Sequence, residues 1–349
     1  MFLIMLSVSL WCLKISDLTL YSKLYYIVKC IIMIDNGIRR SDMISKTSIA
    51  ILMATYNGEH FLQEQIESIL GQSFSDWSIF IHDDGSIDGT NRIIDRYVEN
   101  YPGKINRIDG KTTGSAKNNF FYLMNQVEAS YYMFCDQDDI WMDKKIETTW
   151  ERMKNIEKKD RPSLVFTELS VVAQDKTLLA ESMSKYQNLD CTKLSINHII
   201  IQNVVTGCTM MVNRRLRDMM ILATNIENIR MHDWWAGVIA AAFGEISFVE
   251  EPTIWYRQHD DNSVGAQNDN SVEYQINRAK NKESMRYSLE LTRMQAKEAV
   301  EVFHLPKEHI ISQYANCMNM GKIKRFVFYF KNGILKTGIA RLLGQIVLG

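Results

Sequence analysis

The chain has 349 residues, of which 46% are apolar and 23% are charged, and its formal net charge is −1. This length suits one large domain, or a domain with an appendage, and the composition is that of an ordinary globular protein. A net charge this close to zero argues against a surface built as a whole to bind nucleic acid.

The six cysteines are scattered along the chain, and none belongs to a Cys-x-x-Cys pair. This spacing argues against a zinc site or a disulfide framework. Reduced thiols in the cytoplasm are the simpler interpretation. The six are Cys12, Cys30, Cys135, Cys191, Cys208 and Cys317.

Residues 1–42 form an N-terminal extension with two apolar stretches, at 1–13 and at about 24–34. Neither is long enough for a transmembrane helix, and the features of a signal peptide are missing. Two interpretations remain, an interfacial anchor or a mis-assigned start that should lie at Met43. We favour the second, because a complete α/β pattern begins at Ser48.

Strands and helices alternate in the next hundred residues, which is typical of right-handed crossovers and a largely parallel sheet. Each predicted helix repeats apolar residues at three and four positions, and each predicted strand is a short apolar run. Strands are predicted at 48–54, 77–82, 104–108 and 131–135, and helices at 59–72, 90–101 and 114–129. This nucleotide-binding half (48–150) lacks a Gly-x-Gly-x-x-Gly motif and a P-loop, which counts against a dehydrogenase and a P-loop NTPase.

Polar residues follow three of these strands, where ligands bind in an open α/β sheet. The three segments are Thr55-Tyr56-Asn57, Asp83-Asp84-Gly85-Ser86 and Asp136-Gln137-Asp138-Asp139. Three acids within four positions repel one another unless a cation neutralises them, and oxygen ligands suit Mg²⁺ or Mn²⁺. Taken alone, the last segment is explained equally well as an acidic turn that caps the next helix.

The half from 151 to 265 has a mixed pattern. Strands are predicted at 163–169, 208–213, 246–249 and 253–256, and a helix at 236–243. Residues 257–265 are polar and typical of a loop. The remaining residues, 266–349, are predicted to be a helical C-terminal region, with charged residues at helical spacing over 272–303.

The basic tail, residues 322–349, carries six lysines and arginines and no acid, with aromatic and aliphatic residues between them. A basic amphipathic segment of this kind is typical of peripheral contact with anionic membrane lipids. The alternative is a helix that packs on the domain and leaves its bases in solvent.

Together these motifs resemble the family 2 glycosyltransferases, inverting enzymes of the GT-A fold. The resemblance runs from residue 48 to about 265 and rests on ATYNGE, DDGS followed by DGT, and DQDDIW at their spacings. The later HDWW and YRQH segments resemble the subgroup that contains bacterial rhamnosyltransferases. The resemblance implies an α/β GT-A domain at 43–265, with a Rossmann-like, mostly parallel central sheet flanked by helices and a mixed acceptor-side half.

The resemblance implies a nucleotide site at the strand ends. A ring at Tyr56 would stack on the base, and Asp84 would accept a hydrogen bond from it; Asp83 would contact the base or only cap its turn. Packing of the Tyr56 ring and a solvated Lys117 are the plainer alternatives. The nucleotide-binding candidates are Thr55, Tyr56, Asp83, Asp84, Lys117, Asp136 and Arg257.

The resemblance also implies a divalent cation, Mn²⁺ or Mg²⁺, which would stabilise the leaving diphosphate. Asp138 is the first candidate ligand, and Asp136 would contact the ribose or the water around the metal. His259 would complete the metal site or contact the diphosphate, and Arg257 would neutralise phosphate charge. Asp139 would support the loop.

Enzymes of this family use a carboxylate near the start of a helix to deprotonate the acceptor, and Asp233 matches that position. The neighbouring Trp234 and Trp235 would raise its proton affinity and offer flat faces to sugar rings. The alternative is a helix N-cap followed by core tryptophans. The role of Glu168 stays undecided at this stage.

The expected reaction is inverting transfer of a sugar, with rhamnose from dTDP-rhamnose as first candidate and a UDP-hexose as the main alternative. The expected acceptor is a glycan or lipid-linked oligosaccharide at the cytoplasmic face of the cell membrane, in surface polysaccharide synthesis. Two other classes stay open, a nucleotidyltransferase and a glycan- or nucleotide-binding module without catalysis. The first lacks its Gly-rich signature near the first strand, and the intact acids argue against the second.

Overall fold

A computed structural model describes residues 48–259 and 282–349. The predictions for the N-terminal extension, for the end of the polar loop at 260–265 and for 266–281 lie outside the described residues. The described residues belong to one compact unit that spans Lys46–Gly349. Across these residues, every helix is too short or too polar to cross a lipid bilayer.

Four parallel strands and their crossover helices form the first half. The strands are β1 (Ile49–Thr55), β2 (Trp77–Asp83), β3 (Ile105–Arg107) and β4 (Tyr131–Cys135), and the helices are α1 (Leu62–Leu70), α2 (Thr90–Asn100) and α3 (Ala116–Gln126). The strand order is β3-β2-β1-β4. Every residue of β1 is buried, which is why this strand is a continuous apolar run and does not alternate. The predicted parallel sheet is confirmed.

The second half extends this sheet with mixed pairing, as predicted. Its strands are β5 (Ile140–Trp141), β6 (Ser163–Ala173), β7 (Leu178–Ala180), β8 (Met211–Asn213) and β9 (Glu245–Gln258). The order continues from β4 as β8-β6-β9-β5, with β7 paired to β6. β8 is antiparallel to β4, whereas β9 runs parallel to β6.

Two strand predictions are corrected by the structure. The strands expected at 246–249 and 253–256 are one strand, β9, whose register against β6 shifts near Pro252. Proline has no N–H to donate, so the pairing is interrupted while the chain stays extended. The strand expected at 208–213 begins as a 3₁₀ turn, Gly207–Thr209, and only Met211–Asn213 pairs.

The remaining helices cover the sheet and build the C-terminal region. They are α4 (Lys145–Ile156), α5 (Met183–Tyr186), α6 (Ile196–Ile199), α7 (Arg214–Met220), α8 (His232–Phe243), α9 (Lys282–Phe303), α10 (Ile310–Ala315), α11 (Lys322–Asn332) and α12 (Ile339–Leu348). The helix predicted from charge spacing is confirmed where the structure describes it, as α9. The cysteines at 135, 191, 208 and 317 are free and buried.

Candidate active site

The carboxyl ends of β1, β2 and β4 lie side by side at one edge of the sheet. Thr55 is in register with Asp83, and Met53 is in register with Cys135, the residue before Asp136. Parallel pairing therefore brings the three predicted polar segments together. A ligand outside this edge would meet all three, as the position of ligands in open α/β sheets requires.

Asp83 holds the turn after β2. Its carboxylate accepts hydrogen bonds from the Thr55 hydroxyl (3.0 Å), the Ser86 amide (2.8 Å) and the Asn91 side chain (3.1 Å). Burial alone would raise the pKa of Asp83, but these hydrogen bonds outweigh burial and hold the pKa below its ordinary value. Of the two predicted roles, the contacts support the turn cap, and they also account for the buried Thr55.

Asp84 faces the loop that leads into α3. One carboxylate oxygen accepts from the backbone N–H of Thr113, and the other accepts from that of Gly114 at 2.9 Å. Each carboxylate oxygen has a second lone pair, so Asp84 can still accept a hydrogen bond from a ligand. Its contact with a base stays a prediction.

Tyr56 presents its ring to solvent, with 56% of the residue exposed. Its backbone is held from the other strand end, because Gln137 accepts from the Tyr56 N–H at 2.8 Å and donates to the Tyr56 carbonyl at 2.9 Å. A ring in this position is open to stacking, and base stacking remains a prediction. Gln137 is a positioning residue that the sequence analysis did not single out.

The three acids after β4 share a crowded environment. Asp138 Oδ2 lies 3.0 Å from His259 Nε2, and Asp139 is fully buried. Burial, the charge of Asp138 and then the charge of Asp233 raise the pKa of Asp136 to about 7. Burial also raises the pKa of Asp138, although His259 opposes this, and it raises the pKa of Asp139 well above its ordinary value. A cation beside carboxyl groups whose pKa values are raised in this way would stabilise their charged forms.

His259 reaches the acids because β5 pairs with the end of β9. Ile140 lies opposite Trp255. The residues just beyond β9 therefore run past residues 136–139, which we call the acidic loop. The His259 ring packs on Phe61, with 4.6 Å between ring centroids. The predicted proximity of His259 to Asp138 is thereby present in the structure.

The donor set fits a hard divalent cation. Ligand atoms of Asp136, Asp139 and Cys208 lie within 4.8 Å of one another, but a buried thiol is a poor ligand for Mg²⁺ or Mn²⁺. Asp138 and His259 offer an oxygen and an imidazole nitrogen instead, and the Asp138 side chain keeps 15% of its surface exposed. By donor chemistry, Asp138 and His259 suit such a cation better than Cys208 does, and a metal site at Asp138, Asp136 and His259 stays a prediction.

Arg257 clamps the acidic loop from behind. It is 3% exposed, its Nε donates to the Asp138 carbonyl at 3.0 Å, and its Nη1 donates to the Gln174 carbonyl at 3.1 Å. Its Nη2 pairs with Glu64, and its backbone N–H donates to Asp139. The expected contact of Arg257 with phosphate is corrected, because the guanidinium is buried and already paired with protein groups.

The Lys117 ammonium likewise contacts protein groups. Its ammonium donates to the carbonyls of Ile226 (2.9 Å) and Ile229 (3.0 Å) and lies 3.7 Å from a carboxylate oxygen of Glu227. These contacts fasten α3 to the loop before α8. The structure does not support the expected nucleotide contact of Lys117.

Asp233 lies in the first turn of α8 and has an unusual environment for a carboxylate. Burial raises its pKa to about 6, although hydrogen bonds from the Trp234 N–H, the Asn203 side chain and the Gly207 backbone oppose the rise. Its charge contributes to the raised pKa of Asp136, so the two carboxyl groups are close enough to interact. A carboxyl whose pKa lies near neutral pH is suited to general base chemistry.

Trp234 and Trp235 are core residues, and the expectation that they stack on acceptor sugars is wrong. Their exposed fractions are 5% and 0%. The indole N–H of Trp234 donates to the Ile199 carbonyl at 2.6 Å, and that of Trp235 donates to the Met220 carbonyl at 3.1 Å. Satisfied indoles of this kind anchor a helix, and here they anchor α8 and so position Asp233.

Glu168 has a structural role. Its carboxylate accepts from the Ser182 hydroxyl at 2.6 Å, from the Leu169 N–H at 2.9 Å and from the Ser184 hydroxyl. These bonds fasten the start of α5 to β6. Glu168, whose role the sequence left open, is therefore a buried residue that caps the start of α5.

His232 is the second residue that sequence reasoning missed. It is 5% exposed and packs between Phe120 and Phe134, at ring-centroid distances of 4.3 and 5.1 Å. Neither ring nitrogen has a hydrogen-bond partner among the described residues, and burial lowers its pKa to about 3. The imidazole is therefore neutral. Its position before Asp233 gave no signal of this burial.

Comparison with known proteins gives this arrangement a family. The model of the Glycosyl transferase family 2 domain matches residues 50–180, which include all three polar strand ends. In overall fold the chain is similar to S. aureus TarS 1–349, with a TM-score of 0.52, 17% identity and coverage of 86% of this chain and 78% of that one. The predicted GT-A fold is confirmed.

Two curated relatives extend this likeness. The dTDP-rhamnosyl transferase RfbG of Shigella flexneri is 31% identical over 226 residues, which are 61% of this chain and 74% of that protein. The putative teichuronic acid biosynthesis glycosyltransferase TuaG of Bacillus subtilis (strain 168) is 26% identical over 170 residues, or 48% of this chain and 63% of that one. On this evidence the chain is a glycosyltransferase and belongs to glycosyl transferase family 2.

Proposed function

We propose that the chain transfers a sugar, with inversion, from a nucleotide-sugar donor to a hydroxyl of a glycan or lipid-linked oligosaccharide. The observation that carries this proposal is the Asp233 carboxyl, whose pKa is raised to about 6 mainly by burial. The charge of Asp233 contributes to the raised pKa of Asp136 in the acidic loop, which supports a base that acts beside the donor-side carboxylates.

In the proposed reaction, Asp233 takes the proton of the acceptor hydroxyl. The acceptor oxygen then attacks the anomeric carbon, and the bond from that carbon to the diphosphate oxygen breaks on the opposite face. The Asp233 carboxylate is half-buried, and a carboxylate that ionises near neutral pH suits this proton transfer. The hydrogen bonds from the Trp234 N–H and the Gly207 backbone hold its orientation.

Asp138, with Asp136 and His259, would hold a divalent cation, Mn²⁺ or Mg²⁺. When bound, the cation neutralises the charge that grows on the leaving diphosphate. Tyr56 supports the donor side, because its exposed ring lies at the end of β1 and its backbone is fixed by Gln137. Asp84 would accept a hydrogen bond from the base through its unused lone pairs.

For the donor we propose dTDP-rhamnose first, on the likeness to a dTDP-rhamnosyl transferase. A UDP-hexose is the second candidate. The likeness to a teichuronic acid biosynthesis glycosyltransferase supports an acceptor in surface polysaccharide synthesis. We place the enzyme in the cytoplasm at the inner face of the cell membrane, with the basic tail in peripheral contact.

A donor panel tests this proposal. The purified chain is incubated with dTDP-rhamnose, UDP-glucose and UDP-N-acetylglucosamine, with Mn²⁺, with Mg²⁺ or with chelator, and release of the nucleoside diphosphate is measured. We expect slow hydrolysis of one donor with a divalent cation and none with chelator. Hydrolysis that is equally fast with chelator would contradict the metal site, and binding of a donor without turnover, even with acceptor extracts, would contradict the catalytic role.

A further inference from the structure

The basic tail turns an apolar stripe outward. On α11, the residues Ile323, Phe326, Val327 and Phe330 are 82%, 42%, 55% and 46% exposed. Their spacing of three and four residues puts them on one face of the helix. Single exposed apolar residues are ordinary, but a continuous stripe marks a surface that binds something.

Helix α12 adds to the same surface. Leu343, Ile346 and Val347 are exposed at the same helical spacing. Ile346 and Val347 line one cavity together with Phe326 of α11. The apolar residues of both helices therefore meet, and we call the seven residues of α11 and α12 the outer stripe.

The outer stripe is bordered by positive charge. Lys322, Lys324 and Lys331 are exposed, and the tail contains no acid to pair with them. Three bases, including Arg325, stand in the first turn of α11, which is the positive end of a helix dipole and disfavours cations. The N-cap, Gly321, supplies no side-chain hydrogen bond there. Such an arrangement costs helix stability, and an anion at this helix end would offset that cost.

The cavity beside the stripe offers a place for that anion. It has a volume of about 500 Å³, and its lining includes Arg286, Arg293 and Lys322 together with Glu290. Arg325 also lines the cavity, but its Nε donates to the Gly349 oxygen at 2.8 Å and its Nη1 donates to the Met320 carbonyl at 3.2 Å. Arg293 is 6% exposed. Its Nη2 pairs with Glu290 at 3.1 Å, whereas its Nη1 has no hydrogen-bond partner within the described part of the chain. A buried guanidinium nitrogen without a partner is costly unless a ligand supplies an acceptor.

We propose that this cavity binds the phosphate of an anionic membrane lipid while the outer stripe enters the membrane interface. Arginine forks and lysines are the usual ligands of phosphate groups. Apolar side chains of an interfacial helix dip below the headgroups, so a phosphate would lie at the level of the bases that border them. This site lies apart from the strand ends; it rests on the proposed membrane contact of the basic tail and does not depend on which sugar is transferred.

Two other occupants fit this surface less well. A second copy of the chain, related by a twofold axis, would bring the same lysines against each other with no acids in the tail to pair with them. A free phosphate ion would satisfy Arg293 but would leave the seven apolar residues of the stripe in water. A lipid satisfies both halves of the surface at once.

Vesicle flotation tests the proposal. The full chain is mixed with vesicles of phosphatidylcholine alone or with added phosphatidylglycerol, at constant ionic strength. We expect binding only to the vesicles with phosphatidylglycerol. Lys322→Glu should weaken that binding roughly tenfold or more, because it removes a base and adds an acid beside an anionic surface. Lys154→Glu on α4, the same charge change on an exposed residue elsewhere, should leave it unchanged.

Two further variants separate insertion and the cavity from general charge attraction. Ile323→Ser combined with Val327→Ser removes exposed apolar surface at no cost to the core and should weaken binding without changing net charge. Arg293→Gln should weaken binding to phosphatidylglycerol while its melting temperature shows whether it folds. If it does not fold, Lys322→Glu carries the cavity test, because that residue is exposed.

Several outcomes would overturn the proposal. Equal binding of Lys322→Glu and Lys154→Glu would mean that the vesicles respond only to overall charge. Inorganic phosphate could displace the chain from vesicles at matched ionic strength, and raise its melting temperature as much as the vesicles do. That result would assign the cavity to a soluble ion. The chain could form a dimer in solution that dissociates when Ile323→Ser and Val327→Ser are combined. That result would assign the outer stripe to a second copy.

Discussion

The side-chain amide of Gln137 pairs with the backbone of Tyr56 in both directions, accepting from its N–H at 2.8 Å and donating to its carbonyl at 2.9 Å. The two residues are 81 positions apart in sequence. Gly58 leaves room for this pair, because a Cβ there would lie 2.3 Å from Gln137 Oε1. The pair thereby holds the loop with the exposed ring and the loop with the three acids at a fixed spacing.

Gln137→Met should raise the KM for the donor roughly tenfold or more, because it removes two hydrogen bonds worth about 0.5–1.5 kcal/mol each. The melting temperature should change little, since the pair lies near the surface. Steady-state kinetics with varied donor measure the effect. Gln63→Met, at an exposed position of α1, is the matched control. An unchanged KM in the first variant would show that the pair does not position the donor.

Asp138→Asn should lower affinity for Mn²⁺ and reduce turnover at subsaturating metal, because an amide oxygen is a weaker ligand than a carboxylate. Calorimetric titration with Mn²⁺ gives the affinity without any assay of activity. Asp143→Asn, an exposed acid a few residues later, should behave as wild type. Equal Mn²⁺ affinity in both variants would remove Asp138 from the metal site.

The rate should depend on pH through Asp233. A base works only when it is deprotonated, and the pKa of Asp233 is raised to about 6. The value of kcat/KM should therefore rise with pH up to about 6, falling tenfold for each unit below it, and should level off above. Assays at constant free Mn²⁺, with activity recovered on return to neutral pH, measure this limb. A rate that is flat through this range would contradict the assigned base.

His232 should make the fold sensitive to acid. Its pKa is lowered by burial from the ordinary 6.5 to about 3, so between these values the unfolded chain binds a proton that the folded chain excludes. The stabilising effect is complete above 6.5 and is lost as pH falls, at up to about 1.4 kcal/mol per pH unit. The buried aspartates, with raised pKa values, act in the opposite direction.

A comparison of wild type with His232→Leu isolates the pH-dependent contribution of His232 to the free energy of unfolding. Denaturant unfolding at a series of pH values should give a smaller loss of stability on acidification in the variant, whatever its stability at neutral pH. Parallel curves for the two proteins would mean that the imidazole is protonated in the folded chain.

The sequence predicted what depends on local pattern and on parallel topology. Strands ending in polar residues had to meet at one edge, and the pairing of Thr55 with Asp83 bears this out. The helix that carries Asp233 followed from the run of apolar residues at 236–243, although α8 begins four residues earlier, at His232. The buried strands could be predicted because each is an apolar run of the right length.

What the sequence did not predict depends on distant contacts. Arg257 was expected to face phosphate, but β5–β9 pairing buries it behind the loop and next to Glu64. Trp234 and Trp235 were expected to offer faces to sugar rings, with core tryptophans as the alternative. The structure supports the alternative, because their N–H groups donate to carbonyls of α6 and the end of α7. Gln137 pairs with a backbone, and a backbone partner leaves no mark in the sequence.

If the Asp233 carboxylate removes the acceptor proton, Asp233→Asn should bind the donor and fail to transfer the sugar. Loss of a general base should lower kcat by roughly 10²–10⁴-fold, while calorimetry should give a donor affinity close to that of wild type. Glu250→Gln, an exposed acid of β9, controls for charge. Transfer at the wild-type rate by Asp233→Asn, with the donor bound normally, would mean that Asp233 is not the base.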